Sequence, residues 1–283
     1  MLVLASCTTS TTQQETHYTL KNTELVQMKS DLTGREYELV INLPGSYADS
    51  TNKRYPVLYY LDAYWDTPLL SSIHGQLVYD NVIPELIMVG LSYPGENVNY
   101  GAERAIDLSP TQMPNSNLGG GPQFLKFIET AVIPFMDAKY RTQPSERTLS
   151  GSSMGGLFTL YVMYEKPLLF KRYIAISPHT GWDNDYVARR DDAYAEIHTV
   201  LPARLFLSTG SDEYPPFRNP TVAYQKKLAD RHYQDLGLLN YTIEGERHSG
   251  VKAEGYSRGL RWVYKDIAPI GPSGLEREIT GGH

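Results

Sequence analysis

Cysteine is almost missing from this chain: Cys7 is the single one in 283 residues, which excludes an internal disulfide and any cysteine-based zinc cluster. Positive charge is also short. Lys and Arg number 26 against 32 Asp and Glu, a formal net charge of -6, so the basic footprint that nucleic acid requires is absent. No apolar run approaches the roughly 18 residues that read as a membrane span, and neither repeats nor heptads occur. Phenylalanine is scarce at 7, whereas tyrosine reaches 22. Rings with a polar tip suit sugar or aromatic ligands, and are equally ordinary at a wet surface. The length fits one large domain with a full core, although two smaller ones would also fit.

The setting of Cys7 says more than its number. Met1-Leu2-Val3-Leu4-Ala5-Ser6-Cys7 resembles the lipobox of bacterial lipoproteins, in which a leucine and two small residues precede the cysteine that is lipidated. No basic segment precedes it, and the apolar run is too short for a signal peptide, so the reading is a start placed too late or a trimmed sequence. The expectation is lipidation at Cys7, a polar tether through residue 17, a catalytic domain over 18–270 and a tail over 271–283, with the protein at the periplasm or cell surface. The alternative is an unstructured N-terminus with an accidental cysteine.

Two strands open the domain, one from about Thr19 to Ser30 and one over Arg35–Pro44, joined by a turn at Asp31-Leu32-Thr33-Gly34. The second alternates Tyr37, Leu39, Ile41 and Leu43 with Glu36, Glu38 and Asn42, the pattern of a half-exposed antiparallel strand at a sheet edge. Beyond them the pattern becomes short, continuous apolar runs at Tyr55–Leu61, Leu86–Leu91, Arg147–Gly151, Tyr173–Ser177 and Leu205–Ser208, separated by helical stretches. Strands buried on both faces read this way, and the alternation implies an α/β fold with a mostly parallel sheet. Helices are expected over Gln123–Lys139 with a kink at Pro134, over Met154–Tyr164, from Asn219-Pro220 to Leu236, and over Glu254–Ile267. The segment Tyr93–Pro122 reads as a long polar loop above the sheet's C-terminal edge, where ligands bind in open α/β folds.

The chemistry centres on Gly151-Ser152-Ser153-Met154-Gly155, which has the G-x-S-x-G form of a nucleophile elbow. Alone it arises by chance in about one such chain in ten, so its context must carry the argument. A serine hydroxyl needs a base, usually a histidine held by a carboxylate. Both follow in order. A buried strand ends in Gly210-Ser211-Asp212-Glu213, and a later strand, Asn240–Glu244, ends in Gly245-Glu246-Arg247-His248-Ser249-Gly250. Of seven histidines only His248 has this strand-end context. His17 and His283 lie in the tails, His74, His198 and His232 within helical patterns, and His179 follows Ser177-Pro178, where it could line a pocket. The acid is Asp212 or Glu213, and being adjacent only one of them can face His248. An oxyanion hole needs two backbone N–H groups. One is expected at Met154, and the other after the Val57–Leu61 strand, at Tyr64 or, second, at Ala63.

With those residues in view, the chain from about Arg35 to Lys265 resembles the putative-esterase family of α/β-hydrolases, which includes esterase D, feruloyl esterases, siderophore esterases and mycolyltransferases. Its landmarks are Leu61-Asp62, the Arg104–Thr111 segment, the glycines before Phe124, Ile133-Pro134-Phe135, Tyr140-Arg141-Thr142, and Ser177-Pro178 with Trp182-Asp183. The resemblance implies Glu213 as the acid, three residues after the glycine closing its strand. Ser152 departs from the His common before the nucleophile, and Ala63 from the Gly common after Leu-Asp. The implied protein is a metal-independent serine esterase without cofactor, acylated on Ser153, acting on a small ester such as a siderophore-type, feruloyl or acetyl-sugar ester. A silent binding module and an acyltransferase with the same triad are the alternatives, and oligomeric state is not legible.

Overall fold

The computed structural model describes residues 19–281. Its centre is an eight-stranded sheet built from β1 (Thr23–Ser30), β2 (Arg35–Asn42), β3 (Tyr55–Tyr60), β4 (Ile87–Ser92), β5 (Thr142–Ser152), β6 (Arg172–Ile176), β7 (Val200–Gly210) and β8 (Gln234–Ile243). The spatial order is β1-β2-β4-β3-β5-β6-β7-β8. The β1–β2 and β2–β4 pairs are antiparallel and all the others parallel. β3, β4 and β6 are buried along their whole length, as expected of strands covered on both faces. The front hairpin lies at the sheet edge as its alternation implied, but β2 is half-exposed only in its first half. Val40 and Asn42 are buried as well as Leu39 and Ile41, because Val40 packs into a second core with Leu58, Leu70 and Met88 and Asn42 bonds Lys21 O and Thr23 Oγ1.

Helices cover both faces. Leu149, Tyr173, Leu205 and Leu207 point from the strands into one core with α3 (Gly121–Phe127), α4 (Ile133–Lys139), α5 (Met154–Glu165), α6 (Trp182–Ala195) and α7 (Pro215–Arg231). Leu58, Met88, Ile174 and Phe206 point into the other with α1 (Ala63–Tyr79) and α8 (Val251–Val263). This is the α/β-hydrolase architecture expected from the sequence, with its parallel strands presenting their C-terminal ends to one edge.

Several element boundaries differ from expectation. The segment 93–122 is not a plain loop: α2 (Tyr100–Leu108) occupies it, with Asn99 Oδ1 accepting from the Ala102 N–H at 3.1 Å as its N-cap. The Gln123–Lys139 helix is interrupted rather than merely kinked, since a π-helical turn over Ile128–Val132 separates α3 from α4 immediately before Pro134, which has no N–H to continue the ladder. The helix expected to run to Leu236 ends at Arg231, where His232 takes a left-handed conformation, and Leu236 belongs to β8. In the C-terminal tail, Ser273 and Glu276 form a reciprocal capping box that starts α9 (Gly274–Thr280).

Candidate active site

β5 ends at Ser152, and Ser153 turns the chain into α5 with φ 59° and ψ -120°. That strained conformation is what exposes a nucleophile at the top of a sheet. Gly151 is required there, because a Cβ on it would come within 2.4 Å of the Gly155 backbone. Gly156 is required too, since a Cβ would meet Pro178 Cα at 2.9 Å. Gly155 has only ordinary contacts, at 3.4 Å and beyond, so its role is to let Gly151 approach it. The turn is stapled to its neighbour strand. Ser153 donates its N–H to Ile176 O at 3.0 Å and accepts from the His179 N–H at 3.1 Å.

The turn after β7 carries Glu213. Glu213 is 4% exposed, and its carboxylate collects four donors: His248 Nδ1 at 2.8 Å and Ser177 Oγ on Oε1, Thr209 Oγ1 at 2.6 Å and the Gly210 N–H at 3.1 Å on Oε2. Burial alone would raise its pKa, but these hydrogen bonds outweigh burial and lower it to about 2. Asp212 is exposed and takes the Ser211 hydroxyl at 2.9 Å. The choice left open between the two carboxylates thus falls, on geometry, to Glu213.

His248 lies in the loop between β8 and α8. One side of its ring meets Glu213, and Phe217 stands edge-on to it with centroids 4.5 Å apart. Ser177 Oγ also lies 3.3 Å from His248 Nδ1. Ser153 and His248 face one cavity of about 610 Å³. Met154 heads α5, and Ala63 and Tyr64 open α1 behind Asp62, which adopts φ 57°. N–H groups in a helix's first turn have no intrahelical acceptor and sit at the positive end of the dipole; of the two candidates in α1, Tyr64 lines the cavity, whereas Ala63 is buried and does not. Arg104 from α2 clamps the start of α1, bonding Asp62 through Nε at 2.6 Å and Nη2 at 2.7 Å.

Ser177, Thr209, Phe217 and the Asp62–Arg104 pair were not singled out as site residues from the sequence. The signal for Ser177 was present in the strand-end Ser177-Pro178 step; its φ of 42° and its place beside Glu213 were not. His179, half-buried against Trp182 and Phe217, bonds the elbow through its N–H but is not among the residues that line the cavity. Burial and then the nearby His248 lower its pKa. His74 is a core polar group: it is buried, accepts from the Leu86 N–H at 3.1 Å, and burial lowers its pKa to about 4. Among the described residues no cluster of three or more His, Cys, Asp or Glu side chains is arranged to hold a metal. Cys7 lies outside the described residues.

A family model described as putative esterase matches residues 30–235. The chain belongs to that family. The ferri-bacillibactin esterase BesA of Bacillus subtilis (strain 168) is 27% identical over 274 residues, 90% of this chain and 93% of the relative. The siderophore triacetylfusarinine C esterase of Aspergillus fumigatus is 28% identical over 289 residues, 87% of this chain and 94% of the relative. Among solved structures, an IroE-like serine hydrolase from Shewanella oneidensis superposes with TM-score 0.78 at 25% identity, covering 88% of this chain and 82% of that one. This member of the esterase family is a serine hydrolase of carboxylic esters on an α/β-hydrolase fold.

Proposed function

We propose that this esterase cleaves siderophore-type esters through an acyl-enzyme on Ser153. The observation that carries the mechanism is the buried Glu213 carboxylate bonded to His248 Nδ1 at 2.8 Å on the wall of the cavity that Ser153 faces. The substrate class is supported by the siderophore substrates named for the two relatives that span nearly the whole chain. Nδ1 donates to Glu213, so Nε2 is the free lone pair that takes the Ser153 proton as the hydroxyl attacks the ester carbonyl. The Met154 and Tyr64 N–H groups hold the developing oxyanion. His248 then returns the proton to the leaving alcohol, and water repeats the cycle to release the acid and regenerate Ser153. A panel of siderophore, feruloyl and acetyl-sugar esters tests the substrate class: siderophore esters should be cleaved with the highest kcat/KM, and preferential cleavage of either other class contradicts it.

Lipidation at Cys7 and a place at the periplasm or cell surface form part of the same proposal, supported by Leu4-Ala5-Ser6-Cys7 alone. Expression with the native upstream sequence should give a globomycin-sensitive, palmitate-labelled protein. A soluble, unlabelled protein contradicts it.

A further inference from the structure

Two carboxylates and two cations line the cavity at Ser153, and they form two pairs. Arg104 is held by Asp62 through two hydrogen bonds, at 2.6 and 2.7 Å. Lys252 Nζ lies 2.8 Å from Asp66 Oδ1 and 4.6 Å from the centroid of the Trp65 ring. Two carboxylates against two cations leave no uncancelled positive charge for an anionic ligand. The adjoining loop holds two carboxylates, Glu244 and Glu246, and a single cation, the exposed Arg247, and Glu246 O accepts the N–H of the exposed Asp212 at 3.1 Å. The whole chain adds to this with its net charge of -6. What the mouth does offer is apolar. Trp65 is 63% exposed there, next to Pro68 and Ala253.

Iron(III) bound by three hydroxamates, each of charge -1, is neutral, whereas iron(III) bound by three doubly charged catecholates is a trianion. A trianion would approach a chain of net negative charge and meet only paired cations on the cavity wall, while an uncharged chelate would lose nothing by entering and could lie on the Trp65 indole. We propose that the cavity selects an uncharged, hydroxamate-type iron(III) chelate ester over a trianionic tris-catecholate ester. The selection rests on the siderophore-ester reading above and goes beyond it in naming the charge of the substrate.

The test compares kcat/KM for a ferric tris-hydroxamate ester and a ferric tris-catecholate ester at low and high salt, with p-nitrophenyl acetate alongside. The neutral chelate should be favoured by about tenfold or more at low salt, and the gap should narrow as salt screens the repulsion. Ala253→Lys puts an unpaired ammonium on the exposed rim and should shift the ratio severalfold toward the trianion; a ratio that does not move contradicts charge as its cause. Equal or better cleavage of the trianion, falling as salt rises, overturns the inference and leaves the siderophore reading standing. Hydrolysis of p-nitrophenyl acetate with neither chelate cleaved overturns the siderophore reading and the inference with it.

Discussion

At the scale of single residues, the site depends on how Glu213 is held. Its four donors hold its pKa well below the usual carboxylate range, so an acid limb in the rate profile near neutral pH belongs to another group. Glu213→Gln keeps the shape but can no longer stabilise the imidazolium, and kcat should fall by about 10² to 10⁴. Asp212→Asn should leave kcat/KM within about twofold, because the exposed Asp212 carboxylate accepts from the adjacent Ser211 hydroxyl and makes no bond to His248. Steady-state kinetics on p-nitrophenyl acetate separates the two, and equal losses would mean that both carboxylates act. Ser177→Ala removes one donor from Glu213 Oε1. A hydrogen bond to a charged group contributes about 1.5 to 3 kcal/mol, so kcat should drop by roughly tenfold or more with KM little changed. Ser177→Thr, which restores the hydroxyl, should recover part of the loss. The stability linkage has a defined sign. A carboxyl whose pKa falls from 4.5 unfolded to about 2 folded contributes stability that is full above pH 4.5 and is lost as pH falls toward 2.

At the scale of elements, the strand-turn-helix at Ser153 and the two strand-end turns were legible because buried parallel strands leave continuous apolar runs and their ends leave glycine. Two things stayed hidden. Elements whose defining contacts are tertiary carry little pattern: α2 sits in a polar stretch, yet it is fixed by Asp107, which accepts from Tyr37 and Tyr93 at 3.2 and 3.1 Å and from Arg35. The end of α7 was obscured because Leu228 and Leu236 are eight residues apart, as on one helix face, although a left-handed His232 divides them between a helix and a strand. The same logic explains which site residues were readable. Ser153 and His248 stand in local motifs, and Glu213 was chosen over Asp212 by family resemblance, whereas Ser177 and Arg104 act through partners 36 and 42 residues away. The elbow itself carries a prediction. Gly151→Ala has no room beside the Gly155 backbone, so it should lower the melting temperature by several degrees and abolish esterase activity; a fully active, equally stable variant would contradict the close approach of β5 and α5.

For the molecule as a whole, the two cores on either face of the sheet bury polar groups whose protonation must be controlled. His74 sits in the α1–β4 region of one of them, held neutral by burial with its Nε2 as an acceptor. Its pKa is about 4 folded against 6.5 unfolded, so the unfolded chain binds the proton first as pH falls. Stability therefore declines between pH 6.5 and 4, by roughly 3 kcal/mol from this group. Urea titrations of wild type and His74→Gln at pH 7 and pH 4.5 should show a steeper acid loss in the wild type, and parallel losses would remove His74 as the cause. The central claim concerns the whole chain's chemistry, and intact-protein mass spectrometry after reaction with a fluorophosphonate tests it most directly. The account predicts one adduct per chain, mapped by peptide analysis to Ser153, absent in Ser153→Ala and formed far more slowly in His248→Ala. No adduct on the folded protein, or an adduct on another residue, would contradict it.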